Sequence, residues 1–363
     1  MGEAARLCLR ALRQLETGAR AFDISERFHP DSMIPGLDAY GQEAGGQGPI
    51  LVHLNPPEMP AALRILGRRR LAGRLLIGCW AWELPKAPAT WRTGFDFVHE
   101  VWVPSRFVAD ALSPLAGGKI IRVVPHPVAP PRTVLGLRGT LALPGKALLV
   151  LAVGDMRSSM ARKNLMGSIE AFEHAFGADG PAHLVIKLSG TRTHPELAAS
   201  VRLRVEGRPN AQVIDRDLSE PEMDGLIAEA EILLSLHRSE GFGLPLARAM
   251  AAGKAVIATS WSGNLEFMDG ESAALVPYRL VPVCDPQGIY AGREQVWAEP
   301  DMAAAISNLR RLVHDPDWRH RLGAAAARRI GRLLSVASYR DRVGERFRHA
   351  AGTGISSSVA SDN

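Results

Sequence analysis

The stretch EILLSLHRSEGFGLPLARAMAAGKAVIATSWSGNLEFM, residues 231–268, decides the fold class of this chain. An apolar, strand-like run opens it, a glycine-rich loop follows at 240–243, and helical spacing extends over 245–253. A second apolar run at 255–259 leads into the polar turn 262–264. Strands that alternate with helices at this spacing predict βαβ units on a parallel sheet. In such sheets ligands bind beyond the carboxyl ends of the strands, where both turns lie.

The two turns have the composition of an anion-binding site. Gly241 and Gly243 let backbone N–H groups approach a ligand closely, and the helix that follows adds partial positive charge at its N-terminus. The turn Ser262-Gly263-Asn264 offers a second set of amide groups. Together they predict a site for a nucleoside diphosphate, although such residues also serve simple tight turns. Leu246 stands where a dinucleotide fingerprint needs its third glycine, which argues against a nicotinamide-dependent oxidoreductase.

The same alternation of strands and helices runs through most of the 363 residues. At about 150 residues per domain, this length predicts two domains. The predicted segments are an N-terminal domain over 1–127, a linker over 128–146, a C-terminal domain over 147–330, a helix over 331–350 that packs back on the N-terminal domain, and a disordered tail over 351–363. The expected fold class is therefore α/β, with two doubly wound, Rossmann-like domains.

The first residues depart from this pattern. A doubly wound domain usually opens with a strand and a glycine-rich turn, whereas here a helical stripe of apolar residues begins at Glu3. We expect that the first strand of the N-terminal domain is missing. A fold that begins with a helix is the alternative.

Composition argues against several functional classes. The longest apolar run, 147–153, is strand-sized, and no signal segment is recognised. The three cysteines form no C-x-x-C pair, and there is no H-E-x-x-H motif. The D-x-D sequence at 215–217 is interpreted as a solvated loop. We therefore expect a cytoplasmic protein that requires no metal or other cofactor.

Basic residues slightly outnumber acidic ones, 43 to 38, for a formal charge of +5. One dense cluster lies in the N-terminal domain and consists of Arg64, Arg68, Arg69, Arg70 and Arg74. It favours either a peripheral contact with anionic lipid at the inner membrane face or an ordinary solvated helix face. No aromatic residues are interleaved in it, so nucleic acid is not an expected partner.

Further motifs accompany the central stretch: HLNPPE at 53–58, WAWELP at 80–85, VWVPS at 101–105, RKN at 162–164 and WAEP at 297–300. With the segment EGFGLP at 240–245, they resemble the retaining GT-B glycosyltransferases of glycosyltransferase family 4, also called glycosyl transferases group 1. The resemblance covers most of the chain, and EGFGLP is its most specific part. It implies two Rossmann-like domains that face a cleft.

The resemblance assigns roles to individual residues. Glu240 matches the first carboxylate of the family's E-x7-E motif, which contacts hydroxyls of the donor sugar. Lys163 matches the basic residue that neutralises the donor phosphates, and Arg157 and Arg162 are the candidates for its arginine partner. The remaining expected donor contacts are Gly241, Phe242, Gly243, Leu244, Ser262, Gly263 and Asn264.

Position 248 departs from the family motif. The second carboxylate of E-x7-E would fall there and accept hydrogen bonds from the nucleotide ribose, whereas this chain has Arg248. A guanidinium only donates hydrogen bonds and keeps its charge, so the ribose contact must differ. From the sequence we expect Arg248 on the side of the phosphate loop, and we expect Arg248→Glu to tighten donor binding.

On the acceptor side, Glu83 follows an apolar strand and is flanked by tryptophans. It is the candidate to orient or deprotonate an acceptor hydroxyl; a salt-bridged structural glutamate is the alternative. The resemblance implies a retaining hexosyltransferase that uses a nucleoside diphosphate sugar and a carbohydrate or lipid-linked acceptor, in polysaccharide or glycolipid synthesis. A catalytically impaired GT-B relative that serves as a binding or scaffold subunit is the alternative, which Arg248 favours.

Overall fold

The computed structural model describes residues 1–24, 48–290 and 294–352, without the side chains of Glu345 and of 348–352. Two parallel sheets organise these residues, one of four strands and one of six. This confirms the predicted α/β class with two doubly wound domains. Most of the tail predicted over 351–363 lies outside the described residues.

The N-terminal domain is built on the four-stranded sheet. Its strands and helices are α1 (Gly2–Gln14), β1 (Ile50–Val52), α2 (Met59–Leu66), α3 (Arg68–Leu71), β2 (Leu76–Cys79), β3 (Glu100–Val103), α4 (Arg106–Leu112) and β4 (Ile120–Val123). The strands follow the order β1-β2-β3-β4 and are all parallel. The two central strands are buried at every residue, as expected for strands covered on both faces.

The C-terminal domain is built on the six-stranded sheet. Its elements are α5 (Leu137–Thr140), β5 (Leu148–Asp155), α6 (Met160–Lys163), α7 (Leu165–Phe176), β6 (Ala182–Ser189), α8 (Pro195–Val205), β7 (Ala211–Ile214), α9 (Glu220–Glu229), β8 (Ile232–Ser235), α10 (Leu244–Ala251), β9 (Ala255–Thr259), β10 (Ala274–Val276), α11 (Met302–His314) and α12 (Pro316–Leu333). The order β10-β9-β8-β5-β6-β7 places the strand pair β5 and β8 at its centre. Two hydrophobic clusters, one on each face, form the core.

An antiparallel hairpin that the sequence did not predict follows β10. It consists of β11 (Tyr278–Pro282) and β12 (Val296–Pro300). Trp297 of β12 is buried in a small cluster with Leu84 and Tyr290. Because Leu84 belongs to the N-terminal domain, this hairpin joins the two domains.

The predicted linker and the last helix both pack against the domains. Val128 and Leu137, in the predicted linker 128–146, are buried in the core of the C-terminal domain. The last helix, α13 (Val336–Gly352), begins just after α12 ends. Its buried residues Tyr339 and Val343 pack with residues of α1, β2 and β3. α13 therefore packs against the N-terminal domain.

The strand expected to be missing would lie at the edge of the N-terminal sheet, beside β1. Among the described residues, β1 pairs with β2 alone. α1 packs on the face of the sheet that also receives α13. Whether a further strand belongs beside β1 stays a prediction.

Candidate active site

The loop between β8 and α10 is fixed by backbone contacts to the turn after β9. The N–H of Gly263 donates to the Glu240 carbonyl at 2.8 Å, and the N–H of Glu240 donates to the Ser262 hydroxyl oxygen at 2.8 Å. A Cβ atom on Gly263 would lie 2.1 Å from the Gly241 carbonyl oxygen, so no other residue fits there. Gly243 is the N-cap residue before α10 and has a φ of +89°, a conformation that favours glycine. The glycines of both turns therefore serve close backbone packing.

Two cations converge on the carboxylate of Glu240. Lys163 donates to its Oε1 atom, and Nη1 of Arg162 lies 3.2 Å from the same oxygen. Arg162 also donates to the Ser239 carbonyl at 2.7 Å. Ser159 caps α6 by accepting the Arg162 N–H at 3.0 Å, which holds the helix that carries both cations. We call Arg162, Lys163 and Glu240 the charge triad.

Burial and charge act in opposite directions on Glu240. The side chain is only 7% exposed, and burial alone would raise its pKa. The positive charges of Lys163 and Arg162 outweigh that effect and lower the pKa to about 2. The carboxylate is therefore ionised at every physiological pH, and the triad carries one net positive charge.

Several buried polar atoms beside the triad have no hydrogen-bond partner. Among the described residues, these include both ring nitrogens of His237, the hydroxyls of Ser239 and Thr259, and Oδ1 of Asn264. Burial lowers the pKa of His237 to about 4, so the ring is neutral. Unpaired buried polar groups are rare in folded proteins, and each calls for a specific reason. Their concentration after β8 and β9 is typical of a site that receives a polar ligand.

The N-terminal domain covers this loop. The Ser105 hydroxyl donates to the Gly241 carbonyl at 2.6 Å, and the N–H of Arg106 donates to Glu266 at 2.7 Å. The ring of His126 lies 4.9 Å from that of Phe242, in an edge-to-face arrangement. The cleft is thus lined by both domains.

Glu83 lies on the N-terminal side of the cleft, next to the loop. Its Cγ would be 3.7 Å from a Cβ atom placed on Gly241. Its Oε2 accepts a hydrogen bond from the Tyr290 hydroxyl at 2.9 Å. The sequence did not point to Tyr290 or His237. His237 could have been noticed as a histidine three residues before Glu240, whereas no local pattern distinguishes Tyr290.

The structure brings most of the predicted donor residues together. Glu240, Lys163 and Arg162 form the triad, and the two glycine-containing turns contact each other beside it. Leu244 is the first residue of α10. Arg157 is placed differently, because its guanidinium donates to Asp155 at 2.8 Å and the side chain is half exposed. No contact joins it to the triad among the described residues.

Arg248 faces a group of carboxylates. Its Nη2 atom lies 3.1 Å from Asp224, 3.2 Å from Glu220 and 3.5 Å from Glu3. Arg10 also pairs with Glu220, at 2.6 Å. Glu3 and Arg10 belong to α1, whereas the other three residues belong to α9 and α10. Arg248 therefore joins the two domains by ion pairs.

The depressed pKa of Glu240 predicts a pH-dependent contribution to stability. A group whose pKa falls from 4.5 to about 2 on folding stabilises the protein fully above pH 4.5, and this effect fades as the pH falls toward 2. We expect the difference in unfolding free energy between wild type and Glu240→Gln to shrink from pH 6 to pH 3, measured by urea unfolding. The exposed Glu271→Gln is the matched control. A difference that stays constant over this pH range would contradict the charge triad.

The carboxylates around Arg248 predict that the substitution Arg248→Glu destabilises the protein. The sequence alone instead predicts that this substitution tightens donor binding. Arg248→Glu would place a fourth carboxylate beside three others, at a cost of about 3 kcal/mol. We expect the melting temperature to fall by about 5 °C or more. Arg340→Glu, at an exposed ion pair with Asp341, is the control and should change it little. An unchanged melting temperature with tighter nucleotide binding would support the interpretation from the sequence instead.

Comparison with known proteins finds a family model that matches the C-terminal domain. The family model described as glycosyl transferases group 1 matches residues 147–298. These residues contain the loop, the charge triad and all but the last two residues of the hairpin. No curated protein sequence matches the chain.

Solved structures share the two-domain architecture. Sucrose-phosphate synthase from Thermosynechococcus elongatus has a TM-score of 0.60 at 17% identity, over 82% of this chain and 73% of its own. Anabaena HepE, solved with UDP and glucose, has a TM-score of 0.59 at 13% identity, over 82% of this chain and 78% of its own. A glycosyltransferase from Rickettsia africae has a TM-score of 0.59 at 15% identity, over 87% of each chain. The chain thus has the GT-B fold, and its C-terminal domain matches the family model of the glycosyl transferases group 1.

Proposed function

We propose that this protein transfers a hexose from a nucleoside diphosphate sugar to an acceptor hydroxyl, with retention of the anomeric configuration. The observation that carries the proposal is the charge triad. It is buried, has one net positive charge, and lies beside a glycine loop at the N-terminus of α10. A buried excess charge is costly unless an opposite charge compensates it. A diphosphate supplies that charge and accepts from the backbone amides at a helix N-terminus.

The same residues support the chemistry of transfer. Negative charge builds on the departing nucleotide as the glycosidic bond breaks, and Lys163 and Arg162 would stabilise it where it forms. Oε1 of Glu240 is occupied by the two cations, and among the described residues no hydrogen bond is recorded for Oε2. That oxygen is the proposed acceptor for a hydroxyl of the donor sugar. The departing phosphate can itself take the proton of the acceptor, so the proposal needs no protein nucleophile.

The acceptor side is assigned to the N-terminal domain. Glu83 lies next to Gly241 and is the proposed contact for the acceptor hydroxyl. The partly exposed Trp82 offers aromatic surface nearby, and its ring packs 5.0 Å from that of the buried Trp91. We therefore propose that the acceptor is a carbohydrate or is lipid-linked. The protein would then act in polysaccharide or glycolipid synthesis. The proposal requires no metal or further cofactor.

Binding of a panel of nucleotide sugars tests the donor site. Because Anabaena HepE was solved with UDP and glucose, UDP-glucose is the first probe, followed by UDP- and GDP-hexoses. We expect thermal stabilisation by at least one donor, and calorimetry should show a roughly 10- to 100-fold weaker affinity for Lys163→Ala, the equivalent of one charged hydrogen bond. Lys146→Ala, at an exposed position, is the control for the change in charge. Equal affinities for the two variants would contradict the proposed role of the triad.

A scaffold or binding subunit is the second candidate function. It is favoured by Arg248, whose guanidinium is engaged by carboxylates of both domains and cannot accept from a ribose. Release of nucleotide from the bound donor separates the two functions. The transferase predicts release that Glu240→Ala abolishes, whereas a scaffold predicts binding without release.

A peripheral membrane contact is the remaining part of the proposal. No helix among the described residues is long and apolar enough to cross a bilayer. The arginine cluster lies on α2, α3 and the turn after them, and Arg69 is exposed. We expect cosedimentation with vesicles that contain anionic phosphatidylglycerol and less with pure phosphatidylcholine. Equal binding to the two vesicle types would contradict the membrane contact, and the arginine cluster would then be an ordinary solvated helix face.

A further inference from the structure

The connection between β11 and β12 is tied to the helix that carries the two cations. The Ser159 hydroxyl, which caps α6, donates to Oδ1 of Asp285 at 2.8 Å. The side-chain amide of Gln287 donates to the Ser158 carbonyl at 3.2 Å. Oδ2 of Asp285 in turn accepts from the N–H of Tyr290 at 3.0 Å. The backbone of Tyr290 is therefore fixed relative to α6.

The side chain of Tyr290 reaches from this connection to the other domain. It is 7% exposed, and its hydroxyl donates to Oε2 of Glu83 at 2.9 Å. Its ring centroid lies 5.9 Å from the guanidinium carbon of Arg162. Among the described residues, no hydrogen bond is recorded for the other oxygen of Glu83, Oε1. One aromatic side chain thus lies between a donor-side cation and an acceptor-side carboxylate.

We propose that Tyr290 is a positioning residue for the acceptor, which holds one oxygen of Glu83 so that the other meets the incoming hydroxyl. The inference rests on the proposed function and extends it to a residue of the hairpin. Glu83 lies in the connection after β2 and could otherwise turn about its side-chain bonds. A hydrogen bond from a fixed hydroxyl removes that freedom before the acceptor arrives.

The protonation of Tyr290 suits this task. Burial raises its pKa, and the nearby Glu83 raises it further, despite the opposing effect of Arg162. The phenol therefore keeps its proton and always donates. Oε1 of Glu83 is thereby left as the oxygen that can accept a hydrogen bond from the incoming hydroxyl.

The hydrogen bond between Tyr290 and Glu83 links the acceptor site to the contact between the two domains. Glu83 belongs to the N-terminal domain, and the residue that orients it belongs to the C-terminal domain. The acceptor-binding carboxylate is therefore in place only when the domains meet. Because the ring of Tyr290 also lies beside Arg162, the same side chain contacts both the acceptor-side carboxylate and a donor-side cation.

Donor hydrolysis provides the test, because water is an acceptor present in every assay. Release of the nucleoside diphosphate from the nucleotide sugar identified by the binding panel is measured for wild type, Tyr290→Phe, Glu83→Gln and the double variant. Tyr278→Phe is the matched control, since Tyr278 lies on the same hairpin, is 38% exposed and has its ring 5.2 Å from that of Trp261, away from Glu83 and Arg162 in each of its described contacts. Donor affinity is measured in parallel by calorimetry.

We expect Tyr290→Phe and Glu83→Gln each to lower the turnover number about tenfold, with donor affinity changed less than twofold. The double variant should be no slower than the slower single variant, because both substitutions remove the same arrangement. Tyr278→Phe should match wild type. Glu83→Gln changes the other partner of the hydrogen bond, so it also serves if Tyr290→Phe does not fold.

Three results would overturn the inference. They are wild-type turnover in Tyr290→Phe, losses that multiply in the double variant, and a loss of donor affinity in Tyr290→Phe as large as in Lys163→Ala. A wild-type protein that neither binds nor hydrolyses any nucleotide sugar would instead contradict the proposed function. The two failures are therefore distinguishable.

Discussion

A buried carboxylate between two cations is the constraint on which the rest of the site depends. An ionised group in the interior is tolerated only if it is paired and hydrogen-bonded. Glu240 meets this condition through Arg162 and Lys163, so α6 must lie beside the loop after β8. The two elements follow the strands β5 and β8, which are neighbours at the centre of the sheet. The strand order that makes β5 and β8 neighbours is therefore also what brings the two cations to Glu240.

Backbone atoms carry much of the contact between the loop and its surroundings. The turn after β9 approaches so closely that a side chain at Gly263 would collide with the Gly241 carbonyl. From the other side, Ser105 donates to the same carbonyl. A loop held by its main chain leaves the side chain of Glu240 available to pair with Lys163 and Arg162 of α6. These separate roles of main chain and side chains explain why small and charged residues alternate in the short loop after β8.

The sequence predicts what local patterns encode. The run from β8 to β9 has strand, glycine loop, helix and strand in order, and the structure follows it closely. The contact between Lys163 and Glu240 came from the family resemblance, since 77 residues separate them. Tyr290 could not be found, because its partner Glu83 is 207 residues away and its hairpin has mostly exposed residues on β11. Periodicity identifies the elements, but it does not say which distant side chains will meet.

Arg248 shows how a departure from a family motif becomes part of the fold. Asp224 and Glu220 approach from α9, and Glu3 approaches from α1 of the other domain. Burial and the neighbouring acids raise the pKa of Asp224, although Arg248 opposes this effect. These acids are stable together because a guanidinium lies among them. The residue at 248 is therefore coupled to the domain interface, and a ribose contact would have to come from groups that this interface leaves available. A carboxylate at 248 would lie within about 3.5 Å of the positions of three others, so this interface requires a positively charged side chain there.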